Sequence, residues 1–317
     1  MSKIVTFIKH PILSIKSKCA DRRNQWLENT MKPGNYEKLS DLDAIRARYY
    51  FIFGEFPNLK HPKTFNEKLQ WLKLYHRKPE YPDLVDKYEV KKIVAGIIGE
   101  EYIIPTLGVW DHAEEIDFDS LPDRFVLKCT HDTASVTVCK DKAALDREAV
   151  KKHLNDCLQK SLFLYGREWP YKHVKPRIIA EPYLEDHEIH ELRDYKLFCF
   201  NGKVRFFKVD YNRFVHHNAN YYDKEGNFLP FGEEAYPSDR NAGISLPANF
   251  SALFPLAEKL ACEIPFVRVD FYIVDGKIYF GELTFFPSSG FGKFEPKEWD
   301  EKLGSWIQLP KKKLKRD

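Results

Sequence analysis

Residues 266–285 read FVRVDFYIVDGKIYFGELTF. Val267, Val269, Phe271 and Ile273 alternate with Arg268, Asp270 and Tyr272, the period of a strand whose two faces differ in character. Asp275-Gly276, lying between two apolar runs, is a strong hairpin signal. Turn length then decides the chemistry. A two-residue turn places 270 opposite 281 and sends Asp270 and Glu282 to opposite faces. A three-residue loop, Val274-Asp275-Gly276, pairs 268 with 282 and 270 with 280. Gly276 suits that loop because its left-handed position favours a residue without Cβ. The three-residue loop is therefore expected, with Glu282 and Thr284 on the face of Ile278 and Phe280. Arg268, Asp270, Glu282 and Thr284 then converge: hard oxygen donors for Mg²⁺ beside a guanidinium for phosphate oxygens. The alternative is an exposed sheet face with an ordinary Arg–Glu cross-strand pair.

A second constellation lies upstream. FVLKCTHDTASVTVCKD, 125–141, reads strand, polar loop, strand, with Lys128 on the first strand and His131, Asp132, Thr133 and Ser135 in the loop. Such a loop can offer backbone N–H groups and hydroxyls to a polyphosphate, with Lys128 supplying charge. Asp86-Lys87 opens a helix before it, and IIAEPYL, 178–184, reads as a strand leading into an extended segment.

Hairpins at Asn201-Gly202 and Asp275-Gly276, mixed with intervening helices, indicate an α+β protein and disfavour a doubly wound parallel sheet. Thr64 and Glu67 form a capping-box pattern before a helix-spaced apolar set, and a helix is expected over 83–98, stopped by Gly99. Strands are expected at 102–110, 124–130, 135–140, 177–183, 194–200, 203–210, 266–274 and 277–285, with helices at 143–160 and 249–262. The domains expected are a basic, helical N-terminal region (1–62), a helical region (63–123), a small subdomain (124–185), a large subdomain with the metal site (186–310) and a basic tail (311–317).

Composition narrows the setting. With 43% hydrophobic and 31% charged residues the 317-residue chain has the make-up of a soluble globular protein. Its net charge of +3 is unevenly spread: residues 1–23 carry six Lys/Arg and one Asp, residues 311–317 carry five and one, and the intervening body is acidic. An acidic body is a poor match for a nucleic-acid reader. The basic ends, with Ile4, Phe7, Ile8, Ile12 and Ile15, suit peripheral contact with an anionic inner membrane. Cys19, Cys129, Cys139, Cys157, Cys199 and Cys262 form no CxxC pair, which reads as reduced thiols in the cytoplasm.

The order of these motifs resembles the ATP-grasp superfamily, and within it the TupA-like proteins of bacterial surface-polysaccharide clusters. The resemblance runs from about Lys63 to Ile307. It includes KTFNEKLQWLKLY, LVDKYEV, FVLKCTHD, KPRIIAEPYLED, DYKLFCFNGKV, FVRVDFY, GKIYFGELTF and GFGKFEPKEWDEKLGSWI. The resemblance implies two α+β subdomains clamping ATP. By it, Lys87, Lys128 and Lys196 meet phosphates, and the loop His131, Asp132, Thr133 and Ser135 folds over them. Glu181, Pro182, Tyr183 and Leu184 form the hinge beside adenine, and Glu185, Asp186 or Glu188 takes the ribose. Asp270, Glu282 and Thr284 hold Mg²⁺, while Arg268, with Lys128 and Lys196, acts on the transferred phosphoryl group. Three positions depart from the family pattern: Thr284 where Asn is common, and Ala134 and Ser288 where Gly is common.

The activity implied is carboxylate activation: an ATP-dependent ligase joining an amine or amino acid to an acidic sugar of a capsule or cell-surface polysaccharide. The alternatives are a glycosyltransferase, with Asp117-Phe118-Asp119 as its metal motif, or a catalytically weak ATP-binding scaffold. HEIHE, 187–191, is not the HExxH of zinc peptidases, and His216-His217 reads as a loop feature.

Overall fold

The computed structural model describes residues 25, 29–32, 34–133, 135–188, 192–212 and 217–311. The basic segment 1–23, Cys19, Ala134, residues 189–191 of HEIHE, His216 and residues 312–317 of the tail lie outside them. Contacts divide the chain into two compact units, Met1–Asn58 and Leu59–Asp317. In the first, α1 (Asp41–Phe53) starts at Ser40, whose hydroxyl accepts the Asp43 N–H at 3.2 Å, and ends at Gly54.

The second unit opens with α2 (Phe65–Tyr75), which carries the expected capping box between Thr64 and Glu67. The helix expected over 83–98 is instead two, α3 (Tyr81–Val85) and α4 (Glu89–Ile98). Asp86 accounts for the break. Its carboxylate accepts the N–H groups of Tyr88 at 2.8 Å and Glu89 at 3.2 Å, which caps α4, and Arg177 holds it at 2.8 Å. Lys87 is thereby left at the junction, with its N–H donating to the Thr130 carbonyl at 3.1 Å.

Two antiparallel sheets follow. The smaller has the order β1-β4-β2-β3, from β1 (Gly108–Trp110), β2 (Phe125–Cys129), β3 (Thr137–Cys139) and β4 (Ile178–Pro182). It draws on β1, ahead of residue 124 where the small subdomain was expected to begin. Helix α5 (Arg147–Leu158) covers it through Val150, Leu154 and Cys157, and α6 (Leu162–Gly166) comes next in the chain. The larger sheet has the order β11-β10-β5-β6-β7-β8. Its strands are β5 (Asp194–Phe200), β6 (Lys203–Tyr211), β7 (Asn218–Tyr222), β8 (Phe228–Leu229), β10 (Phe266–Val274) and β11 (Lys277–Thr284). A short pair, β9 (Gly232–Glu233) with β12 (Phe294–Glu295), stands apart. Helices α2, α4 and α7 (Leu253–Leu260) contribute to the aromatic-rich core under the large sheet, and α8 (Glu298–Trp306) adds Leu303. Mixed α+β architecture is thus what the sequence implied.

The decisive hairpin is built differently from expectation. Val274 pairs with Lys277, so the turn is the two-residue Asp275-Gly276, with φ of +49° and +76°. That register would separate Asp270 from Glu282. A β-bulge repairs it: Phe271 pairs with Phe280, but Asp270 pairs with Glu282 and Arg268 with Thr284, leaving Gly281 unpaired. Ile278 and Phe280 consequently face the core, while Glu282 and Thr284 turn to the opposite face, the reverse of the expected sharing. Gly281 fits the bulge because even a Cβ there would come within 3.2 Å of the Asp270 carbonyl.

Beyond β11 the chain turns sharply through Ser288 and Ser289, both left-handed at φ +50° and +52°. A wholly buried lysine holds this turn. Lys73 Nζ donates to the carbonyls of Gly166 at 2.7 Å and Ser289 at 2.6 Å and to Gln70 Oε1 at 2.9 Å. Lys73→Met should leave buried carbonyls unpaired and lower stability by about 2–4 kcal/mol in urea unfolding. A loss below about 0.5 kcal/mol would show that the turn does not depend on this lysine.

Candidate functional site

The strand register lays charged residues in a row across the large sheet. Glu282, Asp270, Lys196, Lys208 and Tyr221 are successive cross-strand neighbours on β11, β10, β5, β6 and β7. Asp194 and Asp210 form the next row. Arg268 Nε and Nη2 donate to Asp270 Oδ1 and Oδ2 at 2.7 and 2.5 Å, and Nη2 also reaches Glu282 Oε1 and Thr284 Oγ1, each at 3.0 Å. Lys196 Nζ lies 3.2 Å from Asp270, 3.3 Å from Asp210 and 3.5 Å from Asp194. Lys208 continues the chain to Asp210 and Glu233, both at 3.4 Å, and Glu233 accepts from Tyr221 at 2.8 Å and Ser288 at 2.7 Å.

From the small sheet come the other predicted residues. Lys128 on β2 pairs with Glu181 on β4 at 2.5 Å, and Lys91 on α4 pairs with the same carboxylate at 2.6 Å. Lys87 donates to the Asp132 carbonyl and lies in the field of Glu282 on the large sheet and Lys128 on the small one. Within the loop, the Ser135 hydroxyl is spent internally: it donates to Asp132 Oδ1 at 2.5 Å and accepts the Cys129 N–H at 2.6 Å. His131 is buried, its Nε2 on the Lys160 carbonyl at 3.1 Å, whereas Thr133 is exposed. His131, Asp132 and Ser135 thus shape the loop, and Asp132 Oδ2 is buried with no hydrogen-bond partner among the described residues.

Pro182 ends β4, and the Tyr183 ring lies 4.3 Å beneath the Arg124 guanidinium, with Leu184 half-buried beyond it. Glu185 pairs with Arg124 at 2.5 Å, and Glu188 is exposed. Asp186 and His187 both bind the hairpin turn: Asp275 N–H donates to Asp186 at 3.0 Å, and Asp275 accepts from His187 N–H at 3.0 Å. Asp117 and Asp119 are taken up elsewhere, in an Asx turn and an exposed pair with Arg147 at 2.8 Å.

Burial acts to raise Glu282, but Arg268, Lys196 and Lys87 outweigh it and bring its carboxyl to about 2. Asp210 likewise stays well below the usual range, burial being overcome by Lys208, Lys196 and Arg268. For Asp270, full burial wins and pushes the carboxyl up against Arg268 and Lys196. Lys87 moves down through burial, opposed by Glu282. Tyr171 is raised by burial, with the charges of Glu168 and Glu282 acting in the same direction.

Among the described residues no cluster of three or more His, Cys, Asp or Glu side chains is arranged to hold a metal by itself. Asp270, Glu282 and Thr284 supply two carboxylates and a hydroxyl, a donor set that suits Mg²⁺ completed by phosphate oxygens.

Lys91, Tyr171, Asp194, Lys208, Asp210 and Glu233 were not anticipated. A signal existed for three of them: Asp194-x-Lys196 and Lys208-x-Asp210 repeat the polar i, i+2 spacing of Arg268-x-Asp270 inside otherwise apolar strands. The others reach the site only through tertiary packing.

A family model described as TupA-like ATPgrasp matches residues 67–308. The chain belongs to that family. Comparison with curated proteins found no match. Solved structures give distant likenesses. D-Alanine-D-alanine ligase from Helicobacter pylori is 15% identical, over 77% of this chain and 69% of that one, with TM-score 0.39. The Bacillus anthracis enzyme complexed with ATP is 16% identical, over 63% and 53%, with TM-score 0.34. The ATP-grasp ligase PsnB, complexed with minimal precursor, Mg and ADP, is 12% identical, over 69% and 57%, with TM-score 0.35. The chain thus spans between about half and just over two thirds of their lengths.

Asp210 carries a testable pH dependence. Its native pKa lies below the unfolded value, so its stabilising contribution is complete above about pH 4 and fades as pH falls through that range. Asp210→Asn should cost about 3 kcal/mol at pH 7, because Lys196 and Lys208 lose a shared counter-ion, and the gap from wild type should narrow below about pH 4. Urea unfolding at several pH values checks both; a gap that widens in acid would reverse the assignment.

Proposed function

We propose that the protein is an ATP-dependent carboxylate–amine ligase that works through an acyl phosphate. The observation that carries this reading is the cluster of Arg268, Asp270, Glu282 and Thr284 on the large sheet, with Lys87 of the α3–α4 junction in the field of both Glu282 and the small-sheet Lys128. Cations from both sheets suit a polyphosphate lying between them. Lys87 and Lys128 neutralise phosphate oxygens, Lys128 exchanging its Glu181 contact for them, and residues 181–184 lie beside the base. Mg²⁺, when held by Asp270 and Glu282, offsets charge on the phosphates. Arg268 and Lys196 steady the phosphoryl group in transfer. An oxygen of the substrate carboxylate displaces ADP from the γ-phosphorus, then an amine attacks the carbonyl and phosphate leaves, so that each ATP yields one amide. By family analogy the carboxylate belongs to an acidic sugar of a surface polysaccharide and the nucleophile is an amino acid or amine.

The reading is tested with a uronic acid labelled with ¹⁸O in its carboxylate, an amine panel and ATP. One label should move into inorganic phosphate, and Asp270→Asn or Glu282→Gln should reduce the reaction by about a thousandfold. Phosphate free of label would exclude the acyl phosphate, and turnover of a nucleotide sugar in its place would favour glycosyl transfer.

Among the described residues no helix is long and apolar enough to cross a membrane. We also assign the basic ends, 1–23 and 311–317, to contact with an anionic membrane surface. Deleting both ends should abolish co-sedimentation with vesicles containing phosphatidylglycerol; unchanged binding, or none by the full chain, removes the assignment.

A further inference from the structure

The oxygens best placed to hold a divalent cation are already spent on a side chain. One guanidinium nitrogen, Arg268 Nη2, lies 2.5 Å from Asp270 Oδ2 and 3.0 Å from both Glu282 Oε1 and Thr284 Oγ1. It contacts all three residues of the proposed donor set, Glu282 through Oε1, and Nε takes the second Asp270 oxygen at 2.7 Å. Lys196 adds a further contact to Asp270. A cation cannot reach those oxygens while the guanidinium occupies them.

Displacing the guanidinium also has an electrostatic cost. Five carboxylates (Asp194, Asp210, Glu233, Asp270 and Glu282) contact three cations (Lys196, Lys208 and Arg268) in one connected network. Arg268 is itself buried, and a bare dication that pushed it off Asp270 and Glu282 would strand its charge. An unpaired charge in such a place is costly. A polyphosphate removes that cost, since it offers the guanidinium other oxygens.

We propose that Arg268 is an internal counter-ion that keeps Asp270, Glu282 and Thr284 closed to free divalent cations, and that the metal is admitted only together with a polyphosphate ligand. Arg268 and the metal compete for the same oxygens; the phosphates draw Arg268 aside and give it the acceptors it would otherwise lose. Metal and nucleotide binding are then positively coupled, and the coupling is reciprocal. The inference rests on reading Asp270 and Glu282 as the metal donors.

The test uses the full chain and Mn²⁺, with free Mn²⁺ followed by electron paramagnetic resonance and heats by calorimetry. Wild type should bind Mn²⁺ weakly alone and about a hundredfold more tightly with a non-hydrolysable ATP analogue, beyond the affinity of the analogue for Mn²⁺ in solution. Arg268→Met should bind Mn²⁺ without nucleotide about tenfold or more tightly than wild type, and the added analogue should gain it less. The double variant Arg268→Met/Asp270→Asn should lose that gain. Wild type binding Mn²⁺ equally well with and without analogue overturns the proposal while leaving the metal site standing. Failure of every form to bind Mn²⁺ even with analogue overturns the metal-site reading and this inference together. If Arg268→Met does not fold, judged by circular dichroism, Arg268→Gln takes its place with the same expected gain in Mn²⁺ binding without nucleotide, and no gain overturns the proposal.

Discussion

One unpaired residue, Gly281, fixes which way the acidic end of β11 faces. The Asp275-Gly276 turn sets a register in which Ile278 and Phe280 meet the core. Continued without interruption, that register would drive Glu282 and Thr284 into the core and Leu283 and Phe285 out of it. The bulge reverses the alternation at the one point where the strand passes from structural to chemical duty. Leu283 and Phe285 stay buried, while Glu282 joins Asp270 and Arg268. Bulges commonly re-aim side chains next to active sites, and here one brings the β11 end of the polar row, Glu282 and Thr284, onto the face of Asp270.

Much of this could be read from the sequence. Alternation in β10 placed Arg268 and Asp270 on one face, the capping box marked the start of α2, and the family motifs ran in the order the strands take. The convergence of Arg268, Asp270, Glu282 and Thr284 was reached, but through the wrong turn. Two hairpins that differ by one loop residue and one bulge bring the same side chains together, and neither composition nor period distinguishes them. What escaped was non-local. Lys91 finds Glu181 only because the fold brings α4 to the charged residue of β4, far away in the chain, and Asp86 breaks a helix whose periodicity otherwise runs unbroken to Gly99. Local pattern governs an element's face; the partner it meets is a tertiary fact.

The departures at Thr284 and Ser288 acquire a physical meaning from the structure. Thr284 Oγ1 donates to Glu282 at 2.9 Å and accepts from Arg268, so the hydroxyl orients a carboxylate as well as offering a donor oxygen. Ser288 and Ser289 adopt left-handed φ values that glycine reaches freely and other residues only at a cost of about 1–2 kcal/mol each. That cost is offset by named contacts. Ser288 Oγ donates to Glu233, Ser289 Oγ to Glu168, and the Ser289 carbonyl receives Lys73. Serine therefore gives up the backbone ease of glycine for hydroxyls that tie the turn to the ionic row.

Those ties run through the charge network as a whole. Glu233 receives Ser288 on one side and Lys208 on the other; Lys208 and Lys196 share Asp210; Lys196 and Arg268 share Asp270. Each cation has more than one acidic neighbour, so moving Arg268 toward a phosphate leaves Asp270 still paired with Lys196. A single salt bridge at this depth could not release its guanidinium without stranding a buried carboxylate, at a cost of several kcal/mol. A shared network can. The redundancy of the row, more than the strength of any one pair, is what makes a buried arginine free to move.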